Sequence, residues 1–168
     1  RGVDVEGCDG SEVTNLLLLI AQASVLAKDY DDALDFYEEH IEMLESDIPE
    51  HQYLLADSLL EMGNILVAMD ENPDYELAIE KLNDCLDIKR NLIGSDSDEV
   101  ANVVFSLATV YEHAGNQAKA IESLSEALRS FKLNKDKGGS VKVYHSLAKL
   151  KASNAIKSES AVDRTAAI

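Results

Sequence analysis

The sequence predicts an all-α fold built of stacked helical hairpins. Three observations carry that prediction. First, the 168 residues include only 8 Gly, 2 Pro and no Trp, while Leu and Ala abound. Few breakers among many good helix formers favour helices over strands. Second, apolar residues make up 46% of the chain, enough for a core and too many for a disordered acidic segment. Third, small residues recur at long, regular intervals. Ala21, Gly63 and Ala108 lie 42 and 45 residues apart, and Ala33, Ala78 and Ala120 lie 45 and 42 apart.

The recurrence has a physical reason. Two antiparallel helices approach closely only where a small residue lets the backbones meet. Leu107, Tyr111 and Leu124 are then expected to fill the space around Ala108 and Ala120, with Ala127 meeting the next repeat. A hairpin cannot bury its apolar face alone, so hairpins must stack. The three-residue mismatch between the two series is one insertion in the turn Asp70-Glu71-Asn72-Pro73-Asp74, where extra length costs little.

Residues 1–11, Gly-rich and acidic, read as a flexible arm. Helices are expected over 12–28 and 30–46, then 48–69 and 75–92, then 97–114 and 117–131, and finally 140–153. The first contains the longest apolar run, Leu16–Ile20 with Ala21 after it, which is far too short to span a bilayer. Asp29 is placed to cap the second helix. Asp47 with Pro49 in the first turn starts the third. Asp96 and Glu99 resemble a capping box for the fifth. Gly115 ends that helix in the left-handed conformation. Leu147 and Ala148 look like part of the first helix of a partial fourth repeat. Residues 154–168 read as a capping helix or a mobile tail. The whole is one repeat domain, 12–153, with repeats at about 12–46, 48–92 and 97–131 and a partial one at 140–153. The length suits a single domain.

Charge is uneven. Of 32 acidic and 15 basic residues, residues 1–96 hold 24 acidic and 5 basic, a net of −19. Residues 97–168 hold 8 acidic and 10 basic, a net of +2, with Arg129, Lys132, Lys135, Lys137, Lys142, Lys149, Lys151 and Lys157 close together. A net of −17 argues against nucleic acid, since neutralising phosphates takes a surplus of Lys and Arg. It also disfavours an anionic membrane surface, and no membrane insertion is expected. The acidic first half favours a basic partner by electrostatic steering.

No chemistry is readable. His40, His51, His113 and His145 lack a second ligand at helical spacing, so no metal is expected. His40 falls where the repeat wants a small residue and reads as a packing residue. Asp29, Asp31, Asp32 and Asp35 lack the central Gly and alternating oxygens of a calcium loop. Gly138-Gly139 is followed by Ser140 without the Lys of a phosphate loop. There is no nucleophile elbow. Cys8 lies in the arm and is open to oxidation, whereas Cys85 sits at a core position. No catalytic residue, no cofactor and no enzyme activity are expected.

One stretch is specific enough to suggest a family. Cys85-Leu-Asp-Ile-Lys-Arg-Asn-Leu-Ile-Gly94-Ser-Asp-Ser-Asp-Glu-Val100-Ala101, running on into Leu107-Ala108-Thr-Val-Tyr111, resembles the tetratricopeptide repeat, in its long kinesin-light-chain-like variety. The likeness covers residues 13–153. Ser97-Asp98 stands where that variety has His-Pro, and Phe105-Ser106 where it has paired Asn. The resemblance implies a right-handed α-solenoid of about three hairpins plus a partial fourth, with the first helix of each pair lining a concave face. Carried onto this chain, that face presents Asn15, Leu18 and Gln22 in the first repeat. It presents Asp57, Leu60 and Asn64 in the second, and Asn102, Phe105, Thr109 and Glu112 in the third. Lys142, His145 and Lys149 follow in the partial fourth. The amides are expected to bond an extended peptide backbone, and Leu18, Leu60 and Phe105 to receive apolar side chains. Chaperone-binding members hold a C-terminal carboxylate with cations and Asn. Here those positions carry Leu18, Asn102 and Ser106, with only Asn64 matching, which argues against a co-chaperone role.

The implied function is a non-catalytic interaction module that binds a peptide or protein in the concave groove. The alternative is a structural or assembly subunit of a larger multiprotein complex. Arg1 in place of Met reads as a processed form or a fragment, leaving the cytoplasm or an organelle open as the compartment.

Overall fold

A computed structural model describes the backbone of residues 10–44, 49–69 and 73–166, and the side chains of 10–44, 51–69 and 73–153. Seven α-helices and no strand are present among the described residues. The arm apart from Gly10 and Ser11, the Asp47 cap, Cys8 and most of the insertion at 70–74 lie outside them. The helices are α1 Gly10–Ala27, α2 Tyr30–Glu42, α3 Pro49–Ala68, α4 Tyr75–Ile93, α5 Asp98–His113, α6 Gln117–Leu133 and α7 Lys137–Ala166. They fall into two compact units, Arg1–Leu92 and Ile93–Ile168.

In the first unit the small residues do what their spacing demands. Ala21, Ala33 and Ala78 are fully buried. A Cβ added at Gly63 would sit 2.6 Å from Leu82 Cγ and 3.3 Å from the carbonyl of Ala78, so α3 and α4 touch backbone to side chain there. Ala21, Ala33, Tyr37, Met62 and Ile65 form a core with Leu18, Val25, Leu34 and Phe36 packed around it. His40 is fully buried between α2 and α3, its Nδ1 3.0 Å from Ser58 Oγ.

Helix α1 corrects the reading of its apolar run. The helix extends well beyond that run, and its 18 residues have a mean hydropathy of 1.3, long and apolar enough by length and composition to cross a membrane. Ser, Thr, Asn and Gln interrupt the apolar residues without adding charge, so the average stays high. One face, Val13, Leu17 and Ala21, belongs to the core. The other turns Leu16, Leu19 and Leu26 outward, at 43%, 62% and 87% exposure.

The second unit repeats the hairpin. Ala108 and Ala120 are buried, and Leu107, Leu124, Ala127 and Phe131 complete the core. Helix α5 ends as expected. Gly115 has φ +77°; its N–H donates to Glu112 and that of Asn116 to Tyr111, at 3.1 and 2.8 Å. This is the paired closure of a left-handed helix end. Asn116 then caps α6, its side chain accepting from Lys119 N–H at 3.2 Å. Lys28-Asp29 and Lys135-Asp136 repeat this turn, with Lys28 at φ 64° and Lys135 at φ 61° in Gly115's place.

Two caps differ from expectation. Asp29 holds the cap position of α2, yet its side chain makes no cap hydrogen bond. The cap of α5 is Ser97, which accepts from Val100 N–H at 3.2 Å. Asp96 instead offers its carbonyl to Asn134 Nδ2 at 2.6 Å, and the same Nδ2 donates to Asp98 at 2.9 Å. The C-terminus of α6 is thereby tied to the start of α5.

The partial fourth repeat is shifted by one residue from the sequence reading. Asp136 caps α7, its side chain accepting from Gly139 N–H at 3.1 Å. Matching Asp136 to Ser97 puts Gly139, Val143 and Leu150 where α5 has Val100, Val104 and Tyr111. All three are buried. Leu147, rather than Ala148, then holds the position of Ala108. Gly139 is needed there, because an added Cβ would overlap the buried Phe131 ring.

Candidate protein-interaction surface

In the first unit the predicted residues of α1 and α3 meet at one cavity of about 320 Å³. Its lining is Leu18 and Gln22 from α1, Tyr37 from α2, and Leu54, Asp57, Leu60 and Glu61 from α3. Four of these, Leu18, Gln22, Asp57 and Leu60, were predicted from repeat phase. Asn15 and Asn64 lie on the same helices, exposed, outside the lining.

Three lining residues were missed. Leu54 and Glu61 lie three residues before and four after Asp57, which puts them on the same helix face, so extending the register would have found them. Tyr37 comes from the second helix of its hairpin, and no sequence signal marks it as part of the cavity.

The lining of the cavity mixes polar and apolar side chains. Asp57 and Glu61 stand one turn apart on α3. Glu61 is an exposed residue, yet partial burial of its carboxyl, and then the neighbouring Asp57 charge, hold it above its ordinary range. Tyr37 is 1% exposed; burial and the Glu61 charge push its hydroxyl up to about 12. Leu18, Leu54 and Leu60 supply the apolar part of the lining.

Asp57 is held in place from behind. Lys89 of α4 donates to Asp57 Oδ1 at 2.7 Å and lies 4.9 Å above the Tyr53 ring. The Lys89 side chain is 4% exposed and that of Asp57 53%. A buried ammonium needs such a partner. Periodicity alone reads Lys89 as a solvated helix residue. Beside this pair, fully buried Cys85 has its thiol pushed up to about 12, by burial above all and against the pull of Lys89.

In the second unit Asn102 is exposed and Phe105 half-buried. The Thr109 hydroxyl donates to the Phe105 carbonyl at 3.2 Å, so its proton is already used within the helix. Glu112 is paired with Lys149 of α7 at 3.0 Å. Lys142 and His145 are exposed on α7. The cap-based register adds Val141 and Tyr144, 65% and 50% exposed, with Lys132 over the Tyr144 ring at 5.5 Å.

Helix pairs with small residues at their crossings, repeated along the chain, match a known repeat in sequence as well. Residues 47–132, half of the chain, match the sequence profile of the tetratricopeptide repeat. This chain belongs to the tetratricopeptide repeat family. Solved structures agree at the level of the fold. BtubC (BKLC) from P. vanneervenii superposes with a TM-score of 0.66 at 19% identity, covering 87% of this chain and 58% of its own. The N-terminal domain of stress-induced protein-1 (STI-1) from C. elegans gives 0.55 at 12% identity, over 83% of this chain and 98% of that domain. MamA gives 0.53 at 15% identity, over 84% and 80%. This chain thus spans 58% of the length of BtubC. No curated protein matches it in sequence. The finer likeness to kinesin light chains is only loosely supported. Tetratricopeptide repeats serve as protein-interaction or scaffold modules and are in general not catalysts.

Proposed function

We propose that this chain is a non-catalytic module that binds a peptide or protein through the first-helix faces of its repeats, α1 and α3 in one unit and α5 in the other. The observation that supports this best is the cavity of the first unit. It sets Leu18, Leu54 and Leu60 beside Asp57 and Glu61, as a site for mixed apolar and basic side chains requires. The surplus of acid in residues 1–96 favours a partner that is basic where it meets this unit. Exposed Asn64 and Asn102 are the amides for a peptide backbone, and half-buried Phe105 the apolar contact. The test starts from a partner identified by co-purification from the native source and then made pure. Asn64→Ala and Phe105→Ala together should weaken its binding at least about tenfold by calorimetry. Unchanged affinity rejects the assignment. Affinity should also fall as salt is raised.

A second reading, constitutive membership of a larger assembly, is favoured by the outward face of α1. Leu16, Leu19 and Leu26 form an apolar patch that a permanent subunit would cover. A monomer that stays soluble on sizing at high concentration would count against it.

A further inference from the structure

The cavity of the first unit has a chemistry narrower than a groove for peptide backbone requires. Its polar groups are suited to accept hydrogen bonds: the carboxylates of Asp57 and Glu61, the amide oxygen of Gln22 and the hydroxyl oxygen of Tyr37. Lys89 occupies Oδ1 of Asp57 and leaves Oδ2 as an acceptor. Tyr37 is 1% exposed, yet its hydroxyl has no hydrogen-bond partner among the described residues. This hydroxyl borders the cavity and is open there to a donor. Glu61 makes no ion pair with a described residue. Like charges one helical turn apart repel, so α3 carries an acid pair with one matching cation.

We propose that this cavity receives a single arginine side chain from the partner, its guanidinium bridging Asp57 and Glu61 and its stem lying on Leu18, Leu54 and Leu60. The proposal rests on the interaction reading above and names the side chain that the acidic unit selects. A guanidinium is a planar fork of five donors and matches several acceptors at once. A lysine ammonium is a compact, strongly hydrated point charge that meets fewer of them. The cavity's volume of about 320 Å³ suits one long side chain. The three leucines take the stem, as arginine stems pack on apolar surface while the head stays with polar groups.

The test uses the full chain with carbon-13-labelled leucine methyls, titrated with N-acetyl-arginine amide. The lysine amide and the citrulline amide, a neutral isostere of arginine, serve as comparisons. Methyl shifts of Leu18, Leu54 and Leu60 should saturate with the arginine probe. Lysine should bind at least several-fold more weakly, and citrulline should leave the methyls unmoved. Glu61→Gln should weaken the arginine probe about tenfold or more, with a thermal midpoint equal to or above the parent, because it removes a repelled carboxylate. Four results would overturn the proposal: no shift with arginine up to its solubility, citrulline as effective as arginine, lysine equal to arginine, or full arginine binding to Glu61→Gln. Failure here can be told from failure of the broader reading. If Asn64→Ala with Phe105→Ala still weakens the purified partner, the interaction module stands without an arginine pocket. If neither set of variants matters, both fall.

Discussion

Replacing Gly63 by Ala tests whether helix proximity or helix propensity governs the small-residue positions. At an open helical site the change stabilises by about 1 kcal/mol. Here the new Cβ would lie 2.6 Å from Leu82 Cγ, 2.9 Å from Leu82 Cδ2 and 3.3 Å from the Ala78 carbonyl oxygen. The nearest atom is a branch point and cannot swing aside alone. Leu82 is fully buried, and the Ala78 atom is backbone. Overpacking of this kind costs about 1–3 kcal/mol, and a clash at Cγ belongs in the upper half of that range. Subtracting the propensity gain leaves a net loss of about 1–2 kcal/mol, or roughly 2–8 °C in thermal midpoint for a chain of this length. Urea and thermal unfolding followed by far-UV circular dichroism give the number. Gly10→Ala on α1 is the control, since nothing lies within 4 Å of that Cβ, and it should be neutral or stabilising. If Gly63→Ala were as stable as the parent, the close approach of α3 and α4 would not be what selects glycine there.

Three further outcomes follow from the same geometry. Lys28→Gly and Lys135→Gly should each stabilise by about 0.5–1 kcal/mol in thermal unfolding, because both lysines hold a left-handed backbone that costs a side-chain-bearing residue energy. His40 is held below its ordinary value of 6.5, by burial first and then by His51, so the unfolded chain binds a proton that the folded one resists. Stability is therefore kept above about pH 6.5 and lost as pH falls below it; the urea midpoint should drop between about pH 7.5 and pH 5.5, and His40→Gln should flatten that slope. Cys85, buried and with its thiol pushed up to about 12, should resist alkylation in the native protein and react quickly in urea.

The parts of the fold legible in the sequence were those set by one residue's size or one residue's backbone. Ala21, Ala33, Ala78, Ala108 and Ala120 are all buried, as small residues at helix crossings should be. Gly115 ends α5 because its φ of +77° suits glycine. Legibility failed where several residues compete for one role. Asp96, Ser97 and Asp98 are all good caps, and only the extended backbone at Ser97, with ψ 153°, turns its hydroxyl onto the Val100 N–H. The register of α7 failed for a related reason. Leu147-Ala148 imitates Leu107-Ala108 in sequence, but the cap at Asp136 fixes the helix start and moves the frame by one residue.

The candidate site shows the same division, and it sharpens the electrostatic argument. Repeat phase names side chains by helix face, so it found Leu18, Gln22, Asp57 and Leu60. It weighs no neighbouring helix, so it missed Tyr37 and had no means of pairing Asp57 with Lys89, 32 residues on. On the arginine proposal, those two turn a general surplus of acid into a directed site. Lys89 neutralises one carboxylate and holds it still from the protein side. Glu61, one turn away, is left with the Tyr37 hydroxyl and the repulsion of Asp57. Screened surface charge steers a partner from a distance and adds little once contact is made. A carboxylate with no cation of its own, in a cavity lined partly by leucines, gains most from a cation that arrives with apolar surface of its own. The selectivity of the acidic half should accordingly reside in these few side chains rather than in the 24 acidic residues of its sequence.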